Sequence, residues 1–236
     1  MKSIIQIFSP HFDDAVLSCG EHILYWQHQG YEVLVTTVFN SFKAHVLSQD
    51  SIEFMQKGNS LSAQEFENVR SKEDYSAMQE LNIKQFQSLG YVDAGFREQD
   101  SAPTYINHLE LFDGHIKDNI KWQNTFISDL QKSILPKSRV IIPLGVGNHV
   151  DHILVKRAIE QSLVPNIYYY IDIPYAFSFS NWKPSYIKKC LYLSHSLLWS
   201  SEKKITAVNK YTSQVPILFP DKLWSYPEII LRDNKK

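Results

Sequence analysis

The chain is poor in the features that mark whole classes of protein. Of its 236 residues two are cysteine, Cys19 and Cys190, with no C-x-x-C spacing. That is too few for a disulfide framework and fits a reducing compartment. No apolar run approaches the ~20 residues of a membrane span, and Met1-Lys2-Ser3 leads into a short strand rather than the apolar region of a secretory signal. Lysine and arginine (24) balance aspartate and glutamate (25) to a net charge of -1, so no basic field points to nucleic acid or to an anionic membrane. Repeats, low-complexity runs, a P-loop and a G-x-G-x-x-G fingerprint are missing too, which counts against a nucleotide-binding sheet. The expectation is a soluble, cytoplasmic protein whose partner is a small molecule; no feature of the sequence fixes an oligomeric state.

What is present alternates strand and helix. Ile4 to Phe8 is an apolar run followed by a helical stripe through Val16, Leu17, Ile23, Leu24 and Trp26 that stops at Gly30. Tyr31 to Phe39 is a β-branched strand. Ser62 to Leu81 carries apolar residues at helical spacing, Lys84 to Leu89 is a short third strand, and Asn119 to Leu135 is a helix closed by Pro136. Arg139 to Leu144, a helix from His149 to about Leu163, and Asn166 to Tyr175 follow. This βαβ order predicts an α/β, Rossmann-like open sheet, mostly parallel, with helices on both faces. One domain is expected over 1–236: a core at 1–175 and a small C-terminal extension at 176–236, with a strand at Ile187 to Leu193, a helix at Ser200 to Tyr211 and an extended piece at Trp224 to Leu231. Residues 40–62 and 98–118 are polar and irregular; the first is expected to be a lid or a substrate-facing segment. Aromatics are plentiful (13 Tyr, 13 Phe, 5 Trp), most of them suited to the core and some to the walls of a pocket. Trp182, Trp199 and Trp224 are candidates for either an interface or the core.

The chemistry concentrates at two strand ends. Pro10-His11-Phe12-Asp13-Asp14 follows the first strand, where an open α/β sheet places its site. Gly147-Asn148-His149-Val150-Asp151-His152 follows the strand at 139–144. An imidazole and a carboxylate from one segment and a histidine from the other are suitable ligands for Zn2+ or a similar divalent ion. Three protein ligands and an open position would make a catalytic centre, whose bound water titrates near neutral pH. The bland alternative is that the acids cap a helix and the histidines pack. Spacing alone does not say which of the two adjacent acids would bind metal.

These two segments, H-x-D-D after the first strand and H-x-D-H late in the sheet, resemble the PIG-L/LmbE-like zinc-dependent N-deacetylases of amino sugars. The resemblance runs to about Tyr175. It implies metal ligation by His11, Asp14 and His152, with Zn2+ or another ion such as Fe2+, and Asp13 as general base and then general acid. It also implies a protonated His149, oriented by Asp151, that stabilises the oxyanion. Arg70, in Arg70-Ser71-Lys72-Glu73, resembles an arginine that reaches the substrate, although an exposed charged face with i,i+4 pairs is the plain alternative. Asp93, in Gly90-Tyr91-Val92-Asp93, resembles a loop acid that grips a sugar hydroxyl, with Arg97 beside it. Phe12 stands where proline is common, which would change the loop's rigidity or add a pocket wall. The segment Lys204 to Gln214 resembles a tail near the site mouth. The implied reaction releases acetate and a free amino sugar. Cleavage of a larger acyl or thiol-conjugate amide at the same centre, and a non-catalytic sugar-binding relic, are the competing readings.

Overall fold

The computed structural model describes residues 3–165, 167–178, 191–220 and 226–233. Strand β1 (Ile4–Ser9) is buried along nearly its whole length because it lies inside the sheet, third of the seven strands formed by the described residues. A strand covered on both faces has no alternation to show, which is why it reads as a continuous apolar run. Its one polar interior residue, Gln6, is satisfied by Thr36 Oγ1 at 3.1 Å, the Ser133 carbonyl at 3.0 Å and the Leu135 N–H at 2.8 Å.

The helix α1 (Asp14–His28) leads to β2 (Glu32–Ser41), α2 (Gln49–Lys57), α3 (Ala63–Glu80) and β3 (Gln85–Val92). A 3-10 turn at Ala94–Phe96, the two-residue strands β4 (Glu98–Gln99) and β5 (Ala102–Pro103), and α4 (His108–Leu111) come next. The chain continues through α5 (Ile120–Lys132), β6 (Arg139–Pro143), α6 (Val150–Glu160), β7 (Ile167–Tyr170) and α7 (Tyr175–Ser178). It closes with β8 (Leu191–Leu198), α8 (Glu202–Val208), α9 (Val215–Leu218) and β9 (Pro227–Asp233).

The sheet order is β3-β2-β1-β6-β7-β9-β8. β1 pairs in parallel with both β2 and β6, β2 with β3, and β6 with β7, while β9 runs antiparallel to β7 and β8. One core lies under α1, α3 and α8, around Ile7, Val16, Met78 and Val208. The other lies under α5 and α6, around Phe8, Phe126 and Leu154. Because β2 departs to one side of β1 and β6 to the other, a crevice opens at the carboxyl ends of β1 and β6, the place where open α/β sheets bind ligands.

The parallel core follows the expected order, and several boundaries sharpen. Ser62 and Asn119 are N-caps whose side chains accept from Glu65 N–H and Trp122 N–H, so the two helices begin one residue later than predicted. The β7 strand ends at Tyr170 rather than Tyr175; of the expected strand, Asn166 lies outside the described residues. The segment 40–62 is not an irregular lid. Ser48 caps α2, Met55 is buried, Ser51 Oγ donates to the Gly95 carbonyl, and Asp50 Oδ2 accepts from His108 N–H at 2.6 Å. The C-terminal segment does more than pack on the sheet, since β9 and β8 extend it. Residues 187–190 of the expected strand, Cys190, Trp182 and Trp224 lie outside the described residues. Trp199 and Cys19 are core. Among the described residues no helix is long and apolar enough to cross a membrane.

Candidate metal centre

The loop after β1 is folded by its own side chains. Ser9 Oγ donates to the His11 carbonyl at 2.6 Å and accepts from Ala15 N–H at 2.9 Å, which turns the chain into α1. Asp14, the first residue of that helix, curls back to accept from His11 N–H through Oδ2 at 2.8 Å. The same oxygen lies 3.3 Å from His11 Nδ1 and 3.3 Å from His152 Nε2. Two imidazole nitrogens therefore face one carboxylate oxygen across the crevice.

This spacing fits an ion. Ligand atoms held tetrahedrally about 2.1 Å from Zn2+ are about 3.4 Å apart. His152 Nε2 is buried with no hydrogen-bond partner, a costly state for a polar atom unless something binds it. Its other nitrogen, Nδ1, sits 2.6 Å from Asp172 Oδ1. Asp172 Oδ2 accepts from the Gly145 and Val146 N–H groups at 2.8 Å each. When Nε2 gives up its proton to an ion, Asp172 keeps the other proton on Nδ1 and the Nε2 lone pair is aimed at the crevice. Burial opposes charge on both His152 and Asp14, yet their mutual attraction prevails. His152, also helped by Asp172, is raised to about 9, and Asp14, also held by His11, falls well below the ordinary carboxylate range. The ring nitrogens of His11, His149 and His152 come within 4.8 Å of one another, and His11, Asp93 and Asp151 form a second such group.

The remaining predicted residues divide into those at the cavity and those behind it. Asp13 lines a cavity of about 520 Å3, and its Oδ2 pairs with Arg70 Nη1 at 3.2 Å. Arg70 is 3% exposed, so the exposed-face alternative fails for it. Asp93 also lines the cavity, its Oδ1 accepting from Gly95 N–H at 2.8 Å and its Oδ2 lying 3.4 Å from His11 Nε2. Arg97 does not reach the cavity. It is buried behind the site, with Nη1 2.6 Å from Asp151 Oδ1 and Nε 2.9 Å from Asp118 Oδ1, among the rings of Phe39, Tyr105 and Trp122. A desolvated guanidinium with two carboxylate partners is engaged already, so Arg97 serves Asp151 rather than a substrate.

The expected pairing of Asp151 with His149 takes a different form. The Asp151 carboxylate receives Arg97, Ala94 N–H at 2.9 Å and His11 Nε2 at 3.1 Å. His149 caps α6 instead, its Nδ1 accepting the backbone N–H of Asp151 at 3.2 Å. Burial and the neighbouring His11 push its pKa well below the ordinary histidine value. His149 is thus a neutral imidazole at the cavity wall with Nε2–H as its donor, not the protonated one anticipated. Phe12 is core, packed with Phe42, Met55, Phe66 and Phe96, and does not wall the pocket. Asp172 escaped the sequence reading, although an acid just past a buried strand, Ile167–Tyr170, was the available signal.

Much of the cavity wall comes from segments that looked irregular in sequence: Asp50, Glu53, Phe54 and Lys57 from α2, and Tyr105, Asn107, Leu111 and Phe112 from the 98–118 stretch. Gln214, Ile217 and Leu218 of the C-terminal segment complete the wall.

Fold and site together define an α/β protein with a His/Asp centre at the switch point of its sheet. Residues 6–163 match the family described as PIG-L, GlcNAc-PI de-N-acetylase, and the chain belongs to it. It is 25% identical over 239 residues to a 2'-N-acetylparomamine deacetylase of Niallia circulans, covering 92% of this chain and 83% of that one. Among solved structures it is similar to a deacetylase of the teicoplanin biosynthesis pathway bound to bog, with 21% identity and a TM-score of 0.78 over 99% of this chain and 100% of that one. It is also similar to the zinc-inhibited form of teicoplanin deacetylase Orf2, with 20% identity and a TM-score of 0.73 over 99% and 100% of the two chains.

Proposed function

We propose that the chain is a metal-dependent hydrolase that removes the N-acetyl group from an amino sugar, with His11, Asp14 and His152 as the ligands. The observation that carries this reading is Asp14 Oδ2 between two imidazole nitrogens at 3.3 Å, beside a second carboxylate, Asp13, that faces the cavity. Bound there, Zn2+ or another divalent ion such as Fe2+ would supply an acidified water and polarise the acetamide carbonyl.

The chain's own groups do the rest. Arg70 holds Asp13 through Oδ2, leaving Oδ1 to take the water's proton and return it to the leaving nitrogen. His149 donates Nε2–H to the oxygen on which charge develops; a neutral donor suffices because the hydrogen bond strengthens with that charge. Asp151 steadies the site from behind through Arg97 and Ala94. Asp93, on the wall, accepts a sugar hydroxyl. The relative named 2'-N-acetylparomamine deacetylase supports an N-acetylated amino sugar as substrate.

A second reading has one observation behind it. The cavity of about 520 Å3 has apolar walls from Phe42, Phe54, Phe96 and Phe112, suited to an amide with a larger acyl group or a bulky aglycone. Acetate release from a panel of N-acetylglucosaminyl compounds by metal-reconstituted protein, beside Asp13→Ala and His152→Ala, tests both. Metal-dependent release that collapses in both variants, with metal content lost only in His152→Ala, is expected. Stoichiometric metal with no release from any acetylated sugar would favour the larger amide.

A further inference from the structure

The phenol of Tyr211, from the turn after α8, lies 3.0 Å from the carbonyl oxygen of Phe12 and 2.7 Å from Asp74 Oδ1. Phe12 is the residue between His11 and Asp13. Tyr211 and Asp74 are 1% and 5% exposed, and among the described residues Tyr211 is the hydrogen-bonding partner of Asp74. A phenol has one proton to give. If Asp74 is ionised, its carboxylate and the Phe12 carbonyl compete for that proton, and one bond is lost in a buried place. If Asp74 carries a proton, it donates to Tyr211 Oη, Tyr211 donates to Phe12, and both bonds are made.

We propose that Asp74, held as the neutral acid, and Tyr211 are positioning residues that fix the backbone of the motif loop and so place Asp13. This rests on Asp13 acting as the base. Three observations converge on it. Tyr211 is itself held, because Glu73, adjacent to Asp74 on α3, accepts from Thr212 Oγ1 and Ser213 N–H at 2.7 Å each and from Ser213 Oγ at 2.6 Å. Arg70, one turn earlier on the same helix, holds the Asp13 carboxylate, so α3 controls the side chain of Asp13 and, through Tyr211, the backbone before it. Phe12 has no ring to fix its φ as proline does, and its carbonyl bond supplies an external restraint. Burial also pushes the Asp74 carboxyl up to about 8, against the opposing pull of Tyr211 and Arg70.

The test compares Asp74→Asn, Asp74→Ala and Tyr211→Phe in the full-length, metal-loaded protein. An asparagine amide can donate to Tyr211 as the neutral acid does, whereas alanine and phenylalanine each break the chain. Asp74→Asn should keep a near-wild-type kcat. Asp74→Ala and Tyr211→Phe should lose about tenfold in kcat at nearly unchanged KM and metal content, as expected when a reacting group is slightly misplaced. Independently of activity, the wild-type minus Asp74→Asn infrared difference near neutral pH should contain a protonated-carboxyl band. An ionised carboxylate in that difference, an Asp74→Asn as damaged as Asp74→Ala, or a Tyr211→Phe with wild-type kcat would overturn the proposal. A wild type inactive on every amide would instead count against the hydrolase reading, and the infrared result would still decide the state of Asp74.

Discussion

The two halves of the candidate centre are built in opposite ways. The half after β1 is folded chiefly by its own residues: Ser9, His11, Asp14 and Ala15 bend the loop with bonds spanning two to six residues, and Tyr211 and Arg70 anchor it from outside. The half at the start of α6 is assembled from a distance. His152 depends on Asp172, which is pinned by Gly145 and Val146, and Asp151 depends on Arg97, which comes from the loop after β3. A local half-site can be recognised from a short string of residues; a distributed one shows only its terminal groups, and its supports must be found in space.

Substitutions should separate the halves. The largest effect is expected from His152→Ala and Asp14→Ala, which should abolish metal retention and activity together, measured by metal content after desalting and by amide hydrolysis. Next, Asp13→Ala should lower kcat by about 10²–10⁴ while leaving metal content at the wild-type level; a loss of metal would mean that Asp13 is a ligand.

Asp172→Asn sharpens the contrast, because it changes a residue 20 positions from the histidine it serves. Metal affinity should fall about 10–100-fold, by competition with a chelator, with the fold intact. Arg97→Met should act on stability instead, since it leaves Asp151 and Asp118 buried without their cation; about 3–5 kcal/mol is typical for breaking a buried pair, read in denaturant unfolding.

Much of this was legible in the sequence where structure is local and periodic. A mostly parallel sheet containing β1, β2, β3, β6 and β7 followed from apolar and β-branched runs alternating with helical stripes, though not their order across it. His11, Asp13, Asp14, His149 and His152 stood out because chemistry-bearing residues cluster at two strand ends. What was not legible is tertiary. Arg97 looked like a loop arginine open to substrate, and only its burial between Asp151 and Asp118 reveals its service to the site. His149 looked available for protonation, and burial beside His11 decides otherwise. The α2 helix was hidden in a polar stretch, and within the helix itself only Ser51 and Met55 are buried. The antiparallel pairing of β9 with β7 has no local signature, because register across an edge is set by packing rather than by spacing.

A last effect concerns pH. The buried Asp74 carboxyl, facing Tyr211, Arg70 and Asp13, is raised from 3.8 to about 8, so over that window the folded chain binds more protons than the unfolded one. Its contribution to stability is complete below 3.8 and is lost as pH rises through about 8. Wild type should therefore lose stability relative to Asp74→Asn as pH rises across this range, and parallel curves would show that Asp74 is ionised throughout.

The central claim is that the two strand ends meet over one ion, and anomalous diffraction from crystals of the zinc-loaded protein addresses it most directly. A single strong peak bonded to His11, Asp14 and His152, with Asp13 outside the ligand set, is the predicted result. A peak bonded instead to His11, Asp93 and Asp151, the alternative cluster, or no peak in the crevice, would contradict it.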